Sequence, residues 1–233
     1  MSNELYKHIF VEKPCIIDYD DFKLEVNVRK REAEHNVKCS FRGKSDFKKA
    51  YSSIFRFFNE LVWFHDMEVS DINGGHSQNS HVFLNYTVNN DSYLLDFKQQ
   101  VFEKRQHLAL SFFREARCNE SPYYRFFCFA KILEIPFTKD EGESKVQWVE
   151  DQLNNLTGKL AVSFRDRKIN NLCGRNLAKW LHENGRNAIA HARLEEITRD
   201  PNNYDDWDEI KWANEIMEEL AEQLIIKKLG VSR

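Results

Sequence analysis

The spacing of apolar residues changes period near residue 96, and few folds accommodate both halves of such a chain. Before that point, short runs rich in Val, Ile and Phe at 6–11, 22–28, 37–41 and 81–88 are bounded by Asp, Asn or Gly clusters, as strands are. After it, apolar positions recur every three or four residues, the period of helices. A chain of 233 residues holds one large domain or two small ones. The expected fold is therefore α+β: a mixed α/β domain over 1–96, then an all-helical bundle over 97–233.

Within the first part, the segment DFKKAYSSIFRFFNELVWFHD follows Ser45, read as an N-cap. It places Phe47, Ala50, Tyr51, Ile54, Phe58 and Leu61 on one helical face, which implies a helix packed on a small sheet. Asn73, Gly74, Gly75 and Asn79 read as a loop. In the second part the candidate helices are 97–116, 121–135, 144–156, 171–183, 186–196 and 207–229. The last carries a broad stripe of Trp207, Ile210, Ala213, Ile216, Met217, Leu220, Ala221, Leu224 and Ile225, with acids on its other face.

The net charge of −3 conceals an uneven distribution. Residues 159–193 carry eight bases against Asp166 and Glu183, whereas residues 195–222 carry eleven acids against Arg199 and Lys211. A basic stretch of this kind suits a polyanion, provided the acids turn away from it; a solvated face is the plainer alternative. Five scattered cysteines without a CxxC pair point to reduced thiols and a cytoplasmic setting. Neither a long apolar leader nor a run of about 18 apolar residues is present, so no membrane partner is expected.

One segment carries chemistry. In Arg186-Asn187-Ala188-Ile189-Ala190-His191, the preceding Asn184-Gly185 is expected to end one helix and Arg186 to begin the next. Asn187 and His191 are then four residues apart on one face, while Arg186 and His191 lie about 140° apart around the axis. A guanidinium binds phosphate through paired donors, and an imidazole moves protons near neutral pH. With the RNA 2′-hydroxyl as nucleophile, the products are a 2′,3′-cyclic phosphate and a 5′-hydroxyl.

This segment resembles the R-polar-x-x-x-H motif of the HEPN superfamily (higher eukaryotes and prokaryotes nucleotide-binding), whose members are helical bundles; the likeness covers about residues 100–230. The YYRFFCFAKILE segment and Asp200-Pro201 are further similar to bacterial HEPN proteins with an added N-terminal domain, among them the methylamine-utilisation J-like and ApeA-like proteins. Many HEPN proteins are metal-independent endoribonucleases of toxin–antitoxin, CRISPR-associated and abortive-infection systems. The resemblance implies Arg186 as phosphate ligand, Asn187 as the residue orienting the phosphate or the imidazole, and His191 as the acid–base residue. Arg175, Lys179 and Arg193 are candidates for contacts to RNA. No metal or cofactor is implied. A homodimer is, because HEPN ribonucleases usually set two motifs around one cleft and this chain has one; an antitoxin or sensor partner is a further expectation. A catalytically silent HEPN scaffold that binds nucleotide or a partner protein is the alternative.

Other constellations are weaker. His65, Asp66, His76 and His81 fit no common zinc spacing. Tyr123-Tyr124-Arg125-Phe126-Phe127 reads as core before it reads as a base-stacking surface. His182 is a single histidine for which an auxiliary role stays open. No dinucleotide, P-loop or α/β-hydrolase signature occurs.

Overall fold

A computed structural model describes residues 15–27, 34–77, 80–88, 97–172, 176–190 and 199–233. The chain divides into two compact units, Met1–Phe102 and Glu103–Arg233. The architecture is α+β: an antiparallel five-stranded sheet with one helix in the first unit, and helices in the second. The strand expected at 6–11 lies outside the described residues.

The first unit runs β1 (Cys15–Tyr19), β2 (Phe22–Asn27), β3 (Glu34–Ser40), α1 (Lys44–His65), β4 (Val69–Ser77) and β5 (His81–Val88), with sheet order β1-β2-β3-β5-β4. Ile17, Tyr19, Leu24, Val26, Val37, Cys39, Val82, Leu84 and Tyr86 are buried, alternating along their strands as a half-covered antiparallel sheet requires. The face of α1 with Ala50, Ile54, Phe57, Phe58 and Leu61 is buried with them. Ser45 is not the cap of this helix. Gly43 is, at φ 80°, because the turn into α1 needs a left-handed residue rather than a side-chain acceptor.

Two strands were hidden from sequence pattern. β1 is only five residues long and exposes Ile16, and β4 contains the Asn73-Gly74-Gly75 stretch expected as a loop. Gly74 sits in the ladder opposite Leu84, and a Cβ there would fall 2.2 Å from the Phe83 carbonyl oxygen, so the glycine serves close approach of two strands. An extra residue between Ser70 and Asn73 makes a bulge, with Asp71 at φ 49°. His76 lies 4.6 Å from the Phe47 ring, and His81 Nδ1 is 2.8 Å from Ser80 Oγ.

Residues 97–102, expected to begin a helix, belong to this unit. Phe97 packs on Tyr19 and Phe57, and Phe102 stacks on Phe64. Asp20, in the β1–β2 turn at φ 50°, accepts from Ser53 Oγ, from Arg56 Nη1 at 2.8 Å and from Gln99 Nε2 at 2.8 Å. These bonds hold a conformation that few non-glycine residues adopt.

The helical unit contains α2 (Lys104–Arg117), α3 (Pro122–Glu134), a 3₁₀ turn (Lys139–Glu141), α4 (Gly142–Leu153), α5 (Lys159–Asn171), α6 (Leu177–Trp180), a π-helical segment (Leu181–Asn187), α7 (Ala188–Ala190) and α8 (Tyr204–Lys227). α2 begins at a capping box in which Glu103 N–H donates to Gln106 Oε1 at 2.7 Å, which explains its late start. The apolar stripe read on the last helix is its buried face, from Ile210 to Ile225. Asn214, buried in that face, donates to the Pro122 carbonyl at 2.9 Å and so ties α8 to the start of α3. α5 was not expected: only Ala161 and Phe164 of its thirteen residues are buried, too few to show a stripe. Nor do 171–183 form one helix; α5 ends at Asn171, and Asn176 caps a new one by accepting from Lys179 N–H at 3.1 Å. No helix among the described residues is long and apolar enough to cross a membrane.

Glu60 of α1, 1% exposed, accepts from Tyr19 Oη at 2.6 Å and from Gln100 N–H at 3.1 Å. Burial, reinforced by the Asp20 charge, pushes its carboxyl up to about 7 against those two hydrogen bonds. A folded-state pKa above the unfolded value means that the native unit binds the extra proton, so stability is fullest below about 4.5 and falls as pH rises through about 7. Hydrogen exchange of α1 amides, corrected for intrinsic rates, is expected to show protection falling from pH 5 to pH 8 by an equivalent of up to about 3 kcal/mol. Glu60→Gln should flatten that dependence.

Candidate functional site

Residues 177–190 form one continuous helical stretch, with a π-helical segment between two α-helical ends. Asn184-Gly185 therefore does not break the chain as the sequence suggested. The physical reason is a contact: a Cβ on Gly185 would lie 2.3 Å from Phe126 Cζ and 2.7 Å from its Cε1. Phe126, on α3, is fully buried and cannot retreat. The glycine is present because the ring needs its space, and the helix passes the ring with the wider i→i+5 winding of a π turn.

That winding presents Arg186 and Asn187 at the end of the π segment, just before α7. Arg186 Nε donates to Glu134 Oε1 at 3.1 Å, and its Nη1 donates to Asn187 Oδ1 at 3.0 Å. Both side chains of the Arg186–Glu134 pair are largely shielded, at 24% and 30% exposure. Lys131 Nζ also donates to Glu134, through Oε2 at 3.1 Å. Burial pushes the Glu134 carboxyl up, but the Lys131 hydrogen bond and the charges of Arg186, Lys131 and Lys145 outweigh it and hold the group below the usual carboxylate range. Glu134 is thus an anion at neutral pH, fixed between two cations.

Glu134 and Arg186 line a cleft of about 410 Å³ together with Phe137, Thr138, Gly142, Lys145 and His182. Burial lowers the Lys145 ammonium, as do the positive charges of Arg186 and Lys131, with Glu134 acting the other way. Burial likewise lowers the His182 imidazole, helped by Lys145 and Arg186 and opposed by Glu134 and Glu183. His182 is accordingly neutral at pH 7, since its ordinary value is already 6.5. A neutral imidazole, an ammonium and a guanidinium lining one cleft can bind an oxyanion and exchange a proton with it.

Of the residues singled out in the sequence, the structure brings Arg186 and Asn187 together. His191, Arg175 and Arg193 lie outside the described residues. Lys179 is exposed and 3.7 Å from Glu183 one turn along, a surface pair of little energetic consequence. Glu134 and Lys145 were missed, being 52 and 41 residues from Arg186 with no local signal. His182 carried one: it precedes Arg186 by four residues, a spacing that shares a helical face.

Much of the basic stretch is internally paired. Arg165 contacts Asp166, and Lys168 contacts Glu209 while lying over the Trp180 ring at 4.1 Å. The acids of α8 do not simply face away, as expected, but act as partners: Asp206 and Glu209 bind Arg199, and Glu218 binds Arg117 and Arg125. Glu219 accepts from Thr157 N–H and, at 3.0 Å, from Gly158 N–H, closing the N-terminus of α5.

Gly185→Ala is expected to cost about 1–3 kcal/mol in denaturant unfolding, as overpacking does. Combined with Phe126→Leu, which frees the space, the two changes should show a favourable coupling in a double-mutant cycle. Strict additivity would mean that the residues do not meet.

Comparison with curated proteins and with solved structures finds no match. Residues 109–226, just over half of the chain and nearly all of the helical unit, match the family described as methylamine utilization protein MauJ. The chain belongs to the MauJ family.

Proposed function

We propose that the helical unit is a HEPN-type endoribonuclease, independent of metal and acting as a homodimer in the cytoplasm, in bacterial toxin–antitoxin or anti-phage defence. The observation that carries this reading is the Arg186 guanidinium, held by Glu134 and Asn187 on the wall of an open cleft that two further basic side chains line. Membership of the MauJ family agrees with the likeness of Arg186-Asn187-Ala188-Ile189-Ala190-His191 to the HEPN motif.

In this reading Arg186 binds the scissile phosphate and balances the charge that grows on the phosphorane. Asn187 keeps the guanidinium in plane, and His191 exchanges protons with the attacking 2′-hydroxyl and the leaving 5′-oxygen. The 2′-oxygen forms its bond to phosphorus as the 5′-oxygen bond breaks, giving a 2′,3′-cyclic phosphate and a 5′-hydroxyl. Arg175, Lys179 and Arg193 serve the flanking strand, and an antitoxin or sensor partner governs access. The sheet unit recognises a trigger or the substrate.

The second reading, a silent scaffold binding nucleotide or a partner protein, draws on the same ion pair: Glu134 already supplies Arg186 with an anion. Purified protein incubated with mixed RNA in EDTA distinguishes the two. The nuclease is expected to leave cyclic phosphate ends, with the rate falling at least about 100-fold in Arg186→Ala and His191→Ala. Cleavage that persists in both variants overturns the assignment, and RNA binding without cleavage favours the scaffold. Light scattering should give a dimer; a strict monomer counts against a cleft built from two motifs.

A further inference from the structure

The cleft beside Arg186 holds more positive charge than its own carboxylate balances. Glu134 is bonded to both Lys131 and Arg186, each at 3.1 Å. The Lys145 side chain, half-buried on α4, and the His182 side chain on the π turn make no hydrogen bond or close ion pair with a described residue, and Glu134 acts on both only through its charge. An ammonium removed from water without a counter-ion is costly unless an anion enters beside it. Burial lowers both the Lys145 and His182 groups; Glu134 opposes this at each and is the second-largest influence on Lys145, and the neighbouring positive charges add to the lowering.

Shape narrows the anion. A volume of about 410 Å³ accommodates a ligand the size of a nucleotide but far exceeds a simple ion. Phe137, with Lys228 Nζ 5.7 Å from its ring centroid, adds an aromatic ring to a wall otherwise polar, and aromatic rings receive nucleobases.

Resting on the ribonuclease reading, we propose that Lys145 and His182 form a second phosphate subsite for the RNA strand, next to the one at Arg186, with Phe137 receiving the intervening base. The strand then crosses the cleft with one phosphate at the reacting position and the adjacent one between α4 and the π turn. Lys145 and His182 bind and position; the proton transfers stay with the motif.

The test uses the full chain and a 2′-O-methylated hexanucleotide RNA, which cannot be cleaved because its nucleophile is blocked. Lys145→Ala is expected to weaken binding about tenfold and to lower the slope of log affinity against log salt by about one, while Lys145→Arg stays within about threefold of wild type. Bound RNA should raise the His182 pKa in an NMR titration, because the phosphate stabilises the imidazolium against Lys145 of α4 and Arg186 of the π turn; Glu134 of α3 and Glu183 already favour it. Wild-type affinity and salt slope in Lys145→Ala, with an unmoved His182 signal, overturn the subsite. Adenosine 5′-monophosphate binding as tightly as the hexanucleotide overturns the strand assignment in favour of a free nucleotide. The two readings fail separately. Saturable binding at Lys145 without cleavage of unblocked RNA defeats the nuclease alone; cleavage with unchanged KM in Lys145→Ala defeats the subsite alone.

Discussion

Phe126 fills the volume that a side chain at Gly185 would need, and the geometry of the motif depends on that contact. The ring is fully buried, so the strand of chain opposite it must either give up its β-carbon or move away. It gives up the carbon and widens its winding. Phe126 and Glu134 are eight residues apart on α3, a little over two turns, and so lie about 80° apart around its axis. One helix therefore supplies both the ring that shapes the π turn and the carboxylate that catches the arginine presented by it.

The distribution of charge serves packing and site together. The acids of α8 are taken up by Arg117, Arg125, Arg199 and Lys168, and by the opened N-terminus of α5. These bonds join α8 to its neighbours, with Trp180 lying against the Lys168 and Arg199 cations. The cleft differs because its cations outnumber its one lining carboxylate. Local excess, rather than the sum over 159–193, is what marks a place for an anion.

Long periodic elements were legible in the sequence. The stripe of α8 and most of the face of α1 followed from spacing, since many buried positions repeat there, although Tyr51, expected on that face, is exposed and the buried Phe57 was not read into it. Elements with few buried residues were not: α5 buries two side chains, and β4 trades its pattern for two glycines that permit close strand contact. Asn184-Gly185 was misread because glycine has two uses, a permissive φ and a missing Cβ, and only the neighbour across the fold tells which applies. The same holds for the cleft. Arg186 and Asn187 declared themselves as adjacent residues in a motif, whereas Glu134 and Lys145 reach it only through tertiary packing.

The tether between Glu134 and Arg186 also bears on entropy. A free arginine side chain samples many rotamers and loses about 0.5–1.5 kcal/mol when a ligand immobilises it. Here Nε and Nη1 are fixed by Glu134 and Asn187 as the chain folds, so that loss is incurred before any ligand arrives. The guanidinium has correspondingly little freedom to follow a ligand that binds out of place. Its fixed plane favours anions that present two oxygens at one distance and orientation, and discriminates by geometry where a mobile lysine would discriminate only by charge.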